Sequence, residues 1–285
     1  MTQTQTLSDI FSLFREDLKP LYDSNEIRTM TGLLAEHLLN YSKIDIHLKR
    51  DLPISEETAE KFQQALVRMK NWEPLQYVTG TAWFYEMPFQ VDPRVLIPRP
   101  ETEELADWII RDNKDRTGTA LDIGTGSGCL AVALARHLPS MAVSALDVSA
   151  GALEVAAHNA ALNQVQVNFF QYDLLNGEVN LPGKFTLMVS NPPYVRPHEK
   201  EAMRQNVLAH EPALALFAPE EDPLLYYRRI ALLARKYLAD GGRLYLEINE
   251  ALSRETAQVL ESAGLYGIQV KNDLNGKARM IRAFK

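Results

Sequence analysis

The chain has 285 residues, 46% of them hydrophobic and 24% charged, with a formal net charge of −7 and one cysteine. That length accommodates one large domain or two ordinary ones with a full-sized core, and no apolar run approaches the roughly 18 residues of a membrane span. A lone cysteine excludes an internal disulfide, and the acidic balance supplies no basic face of the kind that grips a long phosphate backbone. The opening stretch MTQTQTLSDIFSLF lacks the basic start and apolar centre of a signal peptide. A cytoplasmic location is therefore expected, with no membrane and no stable nucleic-acid partner.

Residues 1–72 read as helical. Ile10, Leu13, Phe14 and Leu18 share a helical face, as do Ile27, Met30, Leu34, Leu38 and Tyr41, and then Phe62, Leu66 and Met69. Ser55 is a good N-cap, with Glu56 and Glu57 in the first turn, where the helix dipole favours acids. This segment carries no catalytic constellation and reads as a small bundle for docking or for covering a site. Residues 73–100, EPLQYVTGTAWFYEMPFQVDPRVLIPRP, alternate aromatic and β-branched residues around Gly80 and end in prolines, which predicts a β-hairpin followed by an extended connector. From 101 to 285 strands and helices alternate, from TALDIG and GCLAVALARHL to the closing strands GIQV and ARMIRAF. The expected fold is α/β, with a mainly parallel sheet.

The stretch ALDIGTGSGCLAVAL places Gly124, Gly126 and Gly128, with Thr125 and Ser127 between them, where a strand turns into a helix. Glycines there allow a tight turn and close approach of a ligand to the backbone. Alone, the spacing also satisfies a nicotinamide-type pattern or a plain structural turn. Three acids sharpen it. Asp122 precedes the loop and can face an ammonium group directly or through water. Asp147 ends the next strand, where a carboxylate can accept both hydroxyls of a ribose. Asp173 ends the third strand and can accept from an adenine amino group. A site of acceptors with no phosphate to cradle fits S-adenosylmethionine better than a dinucleotide.

The fourth strand, FTLMVS, runs into Asn191, Pro192, Pro193 and Tyr194. The prolines fix two φ angles and bar both helix and strand ladder. The Asn191 amide and the Pro192 carbonyl are then two acceptors held at a set spacing, able to grip a planar –NH2 group by both hydrogens, with Tyr194 against its plane. That suits methyl transfer to an amide or exocyclic amine, a poor nucleophile that gains most from positioning and from acceptors facing the developing positive charge. Asn191, Pro192 and Tyr194 are the candidate catalytic residues, and Asn191 to Tyr194 the candidate substrate clamp.

With these motifs, VLIPRPETEEL (95–105), EPLQYVTGTAWFYEMPFQV (73–91) and HEPALAL (210–216), the chain resembles the HemK/PrmC family of release-factor glutamine methyltransferases, closely over 73–285. The resemblance implies an N-terminal helical, release-factor-docking domain (1–72), a hairpin linker (73–100) and a class I, Rossmann-like methyltransferase domain with a seven-stranded sheet (101–285). It implies S-adenosylmethionine as cofactor and, as substrate and partner, the glutamine of the Gly-Gly-Gln motif in class 1 release factors. The glycine loop Gly124 to Gly128, Asp147, Asp173, Leu174 and Asn191 are then expected to line the cofactor site, with Arg99, Glu101 and Thr102 nearby. Leu174 stands where relatives often carry an aromatic residue, and LEINE (246–250) departs from the usual glycine after the isoleucine.

Two other readings stay open at this level. A nucleic-acid amino-methyltransferase of the same fold predicts a basic groove, and a cofactor-binding protein without catalysis predicts a broken glycine loop or NPPY. Cys129 reads as a small buried helix residue, Tyr226 and Tyr227 as core, and no histidine has metal-ligand spacing.

Overall fold

Polar side chains start the helices in the first third of the chain. In the computed structural model, which describes residues 5–176 and 181–285, Thr6, Asp23, Ser42 and Ser55 each accept a hydrogen bond from first-turn backbone N–H, worth about 1 kcal/mol per cap. The helices are α1 (Leu7–Leu18), α2 (Ser24–Leu39), α3 (Lys43–Lys49), α4 (Glu56–Lys70) and the short α5 (Leu75–Thr79). The expected faces meet: Ile10, Phe14, Leu18, Ile27, Leu34, Phe62, Leu66 and Met69 are buried in one core, with Leu13, Met30, Leu38 and Tyr41 at its margin. Phe14 and Phe62 pack edge to face, centroids 6.2 Å apart, a favoured aromatic geometry.

Internal contacts divide the chain into two units, Met1–Gly80 with Arg204–His210, and Thr81–Met203 with Glu211–Lys285. The first unit thus takes in a segment remote in sequence. There Arg204 pairs with Glu26 at 2.7 Å, and His210 Nε2 donates to the Asn71 carbonyl at 2.8 Å.

In the second unit, β1 (Thr81–Phe84) and β2 (Met87–Gln90) form an antiparallel hairpin. It lies later than the alternation around Gly80 suggested. Gly80, at φ 69°, closes α5 with a left-handed cap, as glycine does readily. The hairpin turn falls instead on Tyr85 and Glu86, at φ 50° and 61°, the pattern of a type I′ turn. Glu103 steadies it by accepting from Tyr85 N–H at 2.9 Å.

The remaining strands are β3 (Gly118–Ile123), β4 (Met141–Asp147), β5 (Val167–Gln171), β6 (Phe185–Ser190), β7 (Leu238–Glu247), β8 (Tyr266–Asn272) and β9 (Ala278–Phe284). They form one sheet in the order β5-β4-β3-β6-β7-β9-β8, parallel from β5 through β7, with β9 antiparallel to both neighbours. The long helices of this unit are α6 (Pro100–Asn113), α7 (Cys129–His137), α8 (Ala150–Leu162), α11 (Leu225–Tyr237) and α12 (Ser253–Ser262); of the short α9 (Gln205–His210) and α10 (Ala213–Leu216), α9 belongs to the first unit. Two apolar clusters form the core, one including α6, α7 and Ala120, Val143 and Leu187 of the strands, the other α11, α12 and Leu121, Ile123, Met188 and Leu246. Alternate residues of the same strands feed opposite clusters, as a sheet covered on both faces requires. The strand order reverses between β3 and β6, the switch point at which such sheets place their ligands. Among the described residues no helix is long and apolar enough to cross a membrane, and no cluster of His, Cys, Asp and Glu could hold a metal ion.

Candidate active site

Four parallel strands deliver their last residues to one rim. β3 runs into the glycine loop, β4 ends at Asp147, β5 ends two residues before Asp173, and β6 ends one residue before Asn191. Gly124 and Thr125 N–H both donate to the Leu146 carbonyl, at 2.8 and 3.0 Å, and Gly126 N–H donates to Asp147 Oδ2 at 2.9 Å. Ser190 Oγ donates to the Ile123 carbonyl at 2.6 Å, binding the β6 exit to β3. The buried Asn159 of α8 clamps the loop from behind. Its amide bridges both backbone groups of Gln90 in β2 and donates to the Ser127 carbonyl at 2.9 Å.

The rim surrounds a cavity of about 390 Å³, within the usual range of small-ligand sites. Gly124, Thr125, Gly126, Ser127, Asp147, Asp173, Leu174, Asn191, Pro192 and Pro193 all line it. Gly124 and Gly126 have φ of 74° and 54°, and a Cβ on either would meet no protein atom within 4 Å; both open onto the cavity. Side chains at the β4 and β5 ends are held in place. Asp147 Oδ1 accepts from Ser149 N–H at 2.9 Å. Asp173 accepts from Asn176 Nδ2 and Leu175 N–H, both at 2.8 Å, and these bonds hold its carboxyl below the ordinary value.

Three expected residues do not reach the cavity wall. Gly128, at φ 80°, sits so close to α8 that a Cβ would lie 2.9 Å from Ala156 Cβ; it makes room for a helix, not for a ligand. Asp122 is buried, its Oδ2 accepting from the Thr125 hydroxyl at 2.6 Å and its Oδ1 without a partner. Burial pushes its carboxyl up to about 7, against the pull of Thr125 and of Ala131 N–H. Thr125, its bonded neighbour, lines the cavity. Tyr194 is turned away too: its hydroxyl donates to Glu247 Oε1 at 2.9 Å, and burial keeps the phenol protonated far above its ordinary range.

Other wall residues were less legible. Arg99 and Thr102 do line the cavity, whereas Glu101 does not. Arg99 Nη2 pairs with Glu211 Oε1 at 2.5 Å, and Glu211 Oε2 accepts from Ile97 N–H at 3.1 Å. The Glu211 side chain is 1% exposed, so this carboxylate, from the HEPALAL stretch, fixes the proline-rich connector as one wall. Tyr226, read as core, lines the cavity, while Tyr227 is fully buried; helical spacing alone does not separate two adjacent tyrosines at a helix start. Cys129 lines the cavity, and burial pushes its thiol up to about 12.

The Asn-Pro-Pro-Tyr segment has no cis peptide bond. Val195 anchors its exit by exchanging backbone bonds with Leu216 and Ala218, at 3.0 and 2.9 Å. Asn191 Nδ2 donates to Thr102 Oγ1 at 3.1 Å. Asn191 Oδ1 and the Pro192 carbonyl accept no hydrogen bond among the described residues, leaving two acceptors on neighbouring residues of the wall.

Comparison with known proteins agrees with this geometry. The PrmC N-terminal domain model matches residues 11–80, and the Methyltransferase small domain model matches residues 105–216. The release factor glutamine methyltransferase of Flavobacterium psychrophilum is 41% identical over 273 residues, covering 94% of this chain and 95% of that protein. The chain belongs to the release factor glutamine methyltransferase family. The Bacteroides thetaiotaomicron member is 39% identical over 277 residues, covering 97% of this chain and 99% of its own. A Pyrococcus furiosus methyltransferase of known structure shares the fold, with a TM-score of 0.51 at 19% identity over 70% of this chain and 90% of that one. The methyl donor is accordingly S-adenosylmethionine.

Proposed function

We propose that this protein transfers a methyl group from S-adenosylmethionine to the side-chain amide nitrogen of the glutamine in the Gly-Gly-Gln motif of class 1 peptide chain release factors, in the cytoplasm. The observation that carries the reading is the pair of unpartnered acceptors, Asn191 Oδ1 and the Pro192 carbonyl, on the wall of a cavity that the glycine loop also lines. An amide nitrogen has two hydrogens to offer, one for each.

The residues present fit the cofactor. The missing side chains of Gly124 and Gly126 leave the space a Cβ would fill. Asp147 retains lone pairs beyond its two backbone bonds and suits ribose hydroxyls; Asp173 and Leu174 suit the adenine end. Asp122 lies behind the loop, where it accepts from the Thr125 hydroxyl and fixes that side chain. When bound, S-adenosylmethionine supplies a methyl group activated by its sulfonium.

The chain's own part is positioning. Asn191 and Pro192 hold the amide plane and both its hydrogens, so that the nitrogen lone pair faces one direction. Well-oriented reactants are worth several kcal/mol of barrier. The same two oxygens face the positive charge that grows on nitrogen, and the proton that nitrogen sheds on gaining the methyl passes to water, since neither oxygen is basic enough to keep it. Prolines 192 and 193 keep the carbonyl from drifting.

The test is mass spectrometry of a release factor incubated with the protein and S-adenosylmethionine. One added methyl group on the Gly-Gly-Gln peptide is expected. Methylation of RNA or DNA under the same conditions, with none on the release factor, would refute the reading.

A further inference from the structure

Asn191 can grip an amide only if its oxygen, not its nitrogen, faces the cavity. The two ends of a side-chain amide have nearly the same shape, so something must choose between them. Asn191 Nδ2 faces Thr102 Oγ1 at 3.1 Å. A threonine hydroxyl can donate once or accept, and by itself it would tolerate either end of the asparagine.

The choice is made one residue further back. Thr102 Oγ1 donates to Glu247 Oε2 at 2.7 Å, and Tyr194 donates to Glu247 Oε1 at 2.9 Å. Glu247 ends β7 and is 1% exposed. Burial raises the Glu247 carboxyl, against the bonds from Thr102 and Tyr194 and the charge of Arg279; ionised, it only accepts, and the single hydrogen of Thr102 is committed to it. Thr102 then has only lone pairs to offer Asn191, which must present its –NH2, and Oδ1 is left for the cavity. The other carboxylate oxygen anchors Tyr194, whose carbonyl accepts from Asn249 Nδ2 at 3.1 Å. Asn249 thus adds a second tie on the same segment. Buried charges are costly unless they are hydrogen-bonded, and Glu247 takes no other part in the site.

We propose that Glu247 is a positioning residue for methyl transfer: acting through Thr102 it fixes which end of the Asn191 amide faces the substrate, and through Tyr194 it holds the clamp's backbone. Replacing the carboxylate by an amide lets Thr102 receive a hydrogen bond from residue 247 and turn its own hydrogen toward Asn191. The asparagine amide then reverses and meets the substrate's –NH2 with a donor.

The inference rests on the amide-methylation reading above. The experiment measures turnover on a release factor, affinity for S-adenosylhomocysteine and melting temperature in the wild type, Glu247→Gln, Thr102→Val, Thr102→Ser and the Glu247→Gln/Thr102→Val double variant. Glu247→Gln and Thr102→Val should each lower kcat on the order of 10²-fold, the usual size of lost orientation, with S-adenosylhomocysteine affinity within about threefold. Thr102→Ser, which keeps the hydroxyl, should rescue most of the loss. Because both single changes break one chain of bonds, the double variant should be little worse than either alone. A Glu247→Gln enzyme that turns over like the wild type, or losses that multiply in the double variant, would overturn the proposal. If Glu247→Gln fails to bind S-adenosylhomocysteine, Thr102→Val decides: full kcat there overturns it, and a lowered kcat rescued by serine supports it. A wild type that leaves the release factor unmethylated overturns the reading of the substrate, and this inference with it.

Discussion

Asp122 holds its proton to about pH 7 because burial outweighs the bonds from Thr125 and Ala131, whereas in the unfolded chain it titrates near the ordinary value. Between about pH 4 and pH 7 the folded state therefore binds more protons than the unfolded one, and stability falls as pH rises through that window. Asp122→Asn removes this slope. Melting curves across pH 4 to 8 should show the wild type losing up to about 4 kcal/mol relative to the variant, and parallel curves would contradict the assignment. At Asn191 the expected loss is chemical. Asn191→Ala should lower turnover by about 10²-fold in a protein that still melts cooperatively, and unchanged turnover would remove Asn191 from the mechanism. The candidate residues that line the cavity stood out in the sequence because a glycine loop, strand-end acids and a proline-fixed asparagine each carry a local chemical signature. That Tyr194, Gly128 and Asp122 do not line the cavity was not legible: Tyr194 turns to Glu247, far along the chain, Gly128 packs on Ala156 of α8, and Asp122 is buried against Thr125, contacts that no local pattern names.

At the scale of elements, the glycine loop divides into two jobs. Gly126 opens on the cavity and Gly128 on α8. Gly128→Ala should destabilise the fold by about 2 kcal/mol or more, since it adds a positive-φ penalty to an overpacked contact. Gly126→Ala should cost about 1 kcal/mol for its φ but weaken S-adenosylhomocysteine binding by tenfold or more, because its new methyl occupies the ligand's space. Calorimetry with and without that ligand separates the two, and equal effects at both positions would show that the loop does not face the ligand as described. Helix faces and strand periods were readable along most of the chain, since burial imposes 3.6- and 2-residue spacings. The hairpin was displaced because Gly80 serves equally as a turn residue or a helix cap, and only the left-handed Tyr85–Glu86 turn decides between them.

For the whole molecule, alternation of strands and helices led to a mainly parallel sheet, and the sheet's switch point gathers residues from Arg94 to Tyr226 around one cavity. The assignment of Arg204–His210 to the first unit has no counterpart in local sequence, because contact between distant segments leaves no periodic trace. The central claim is that the methyl acceptor is one glutamine amide held by Asn191 and Pro192. Its most direct test is incubation with tritium-labelled S-adenosylmethionine and either a class 1 release factor or its variant with the Gly-Gly-Gln glutamine changed to alanine. Label in the first protein and none in the second is the predicted result; equal label in both would contradict it.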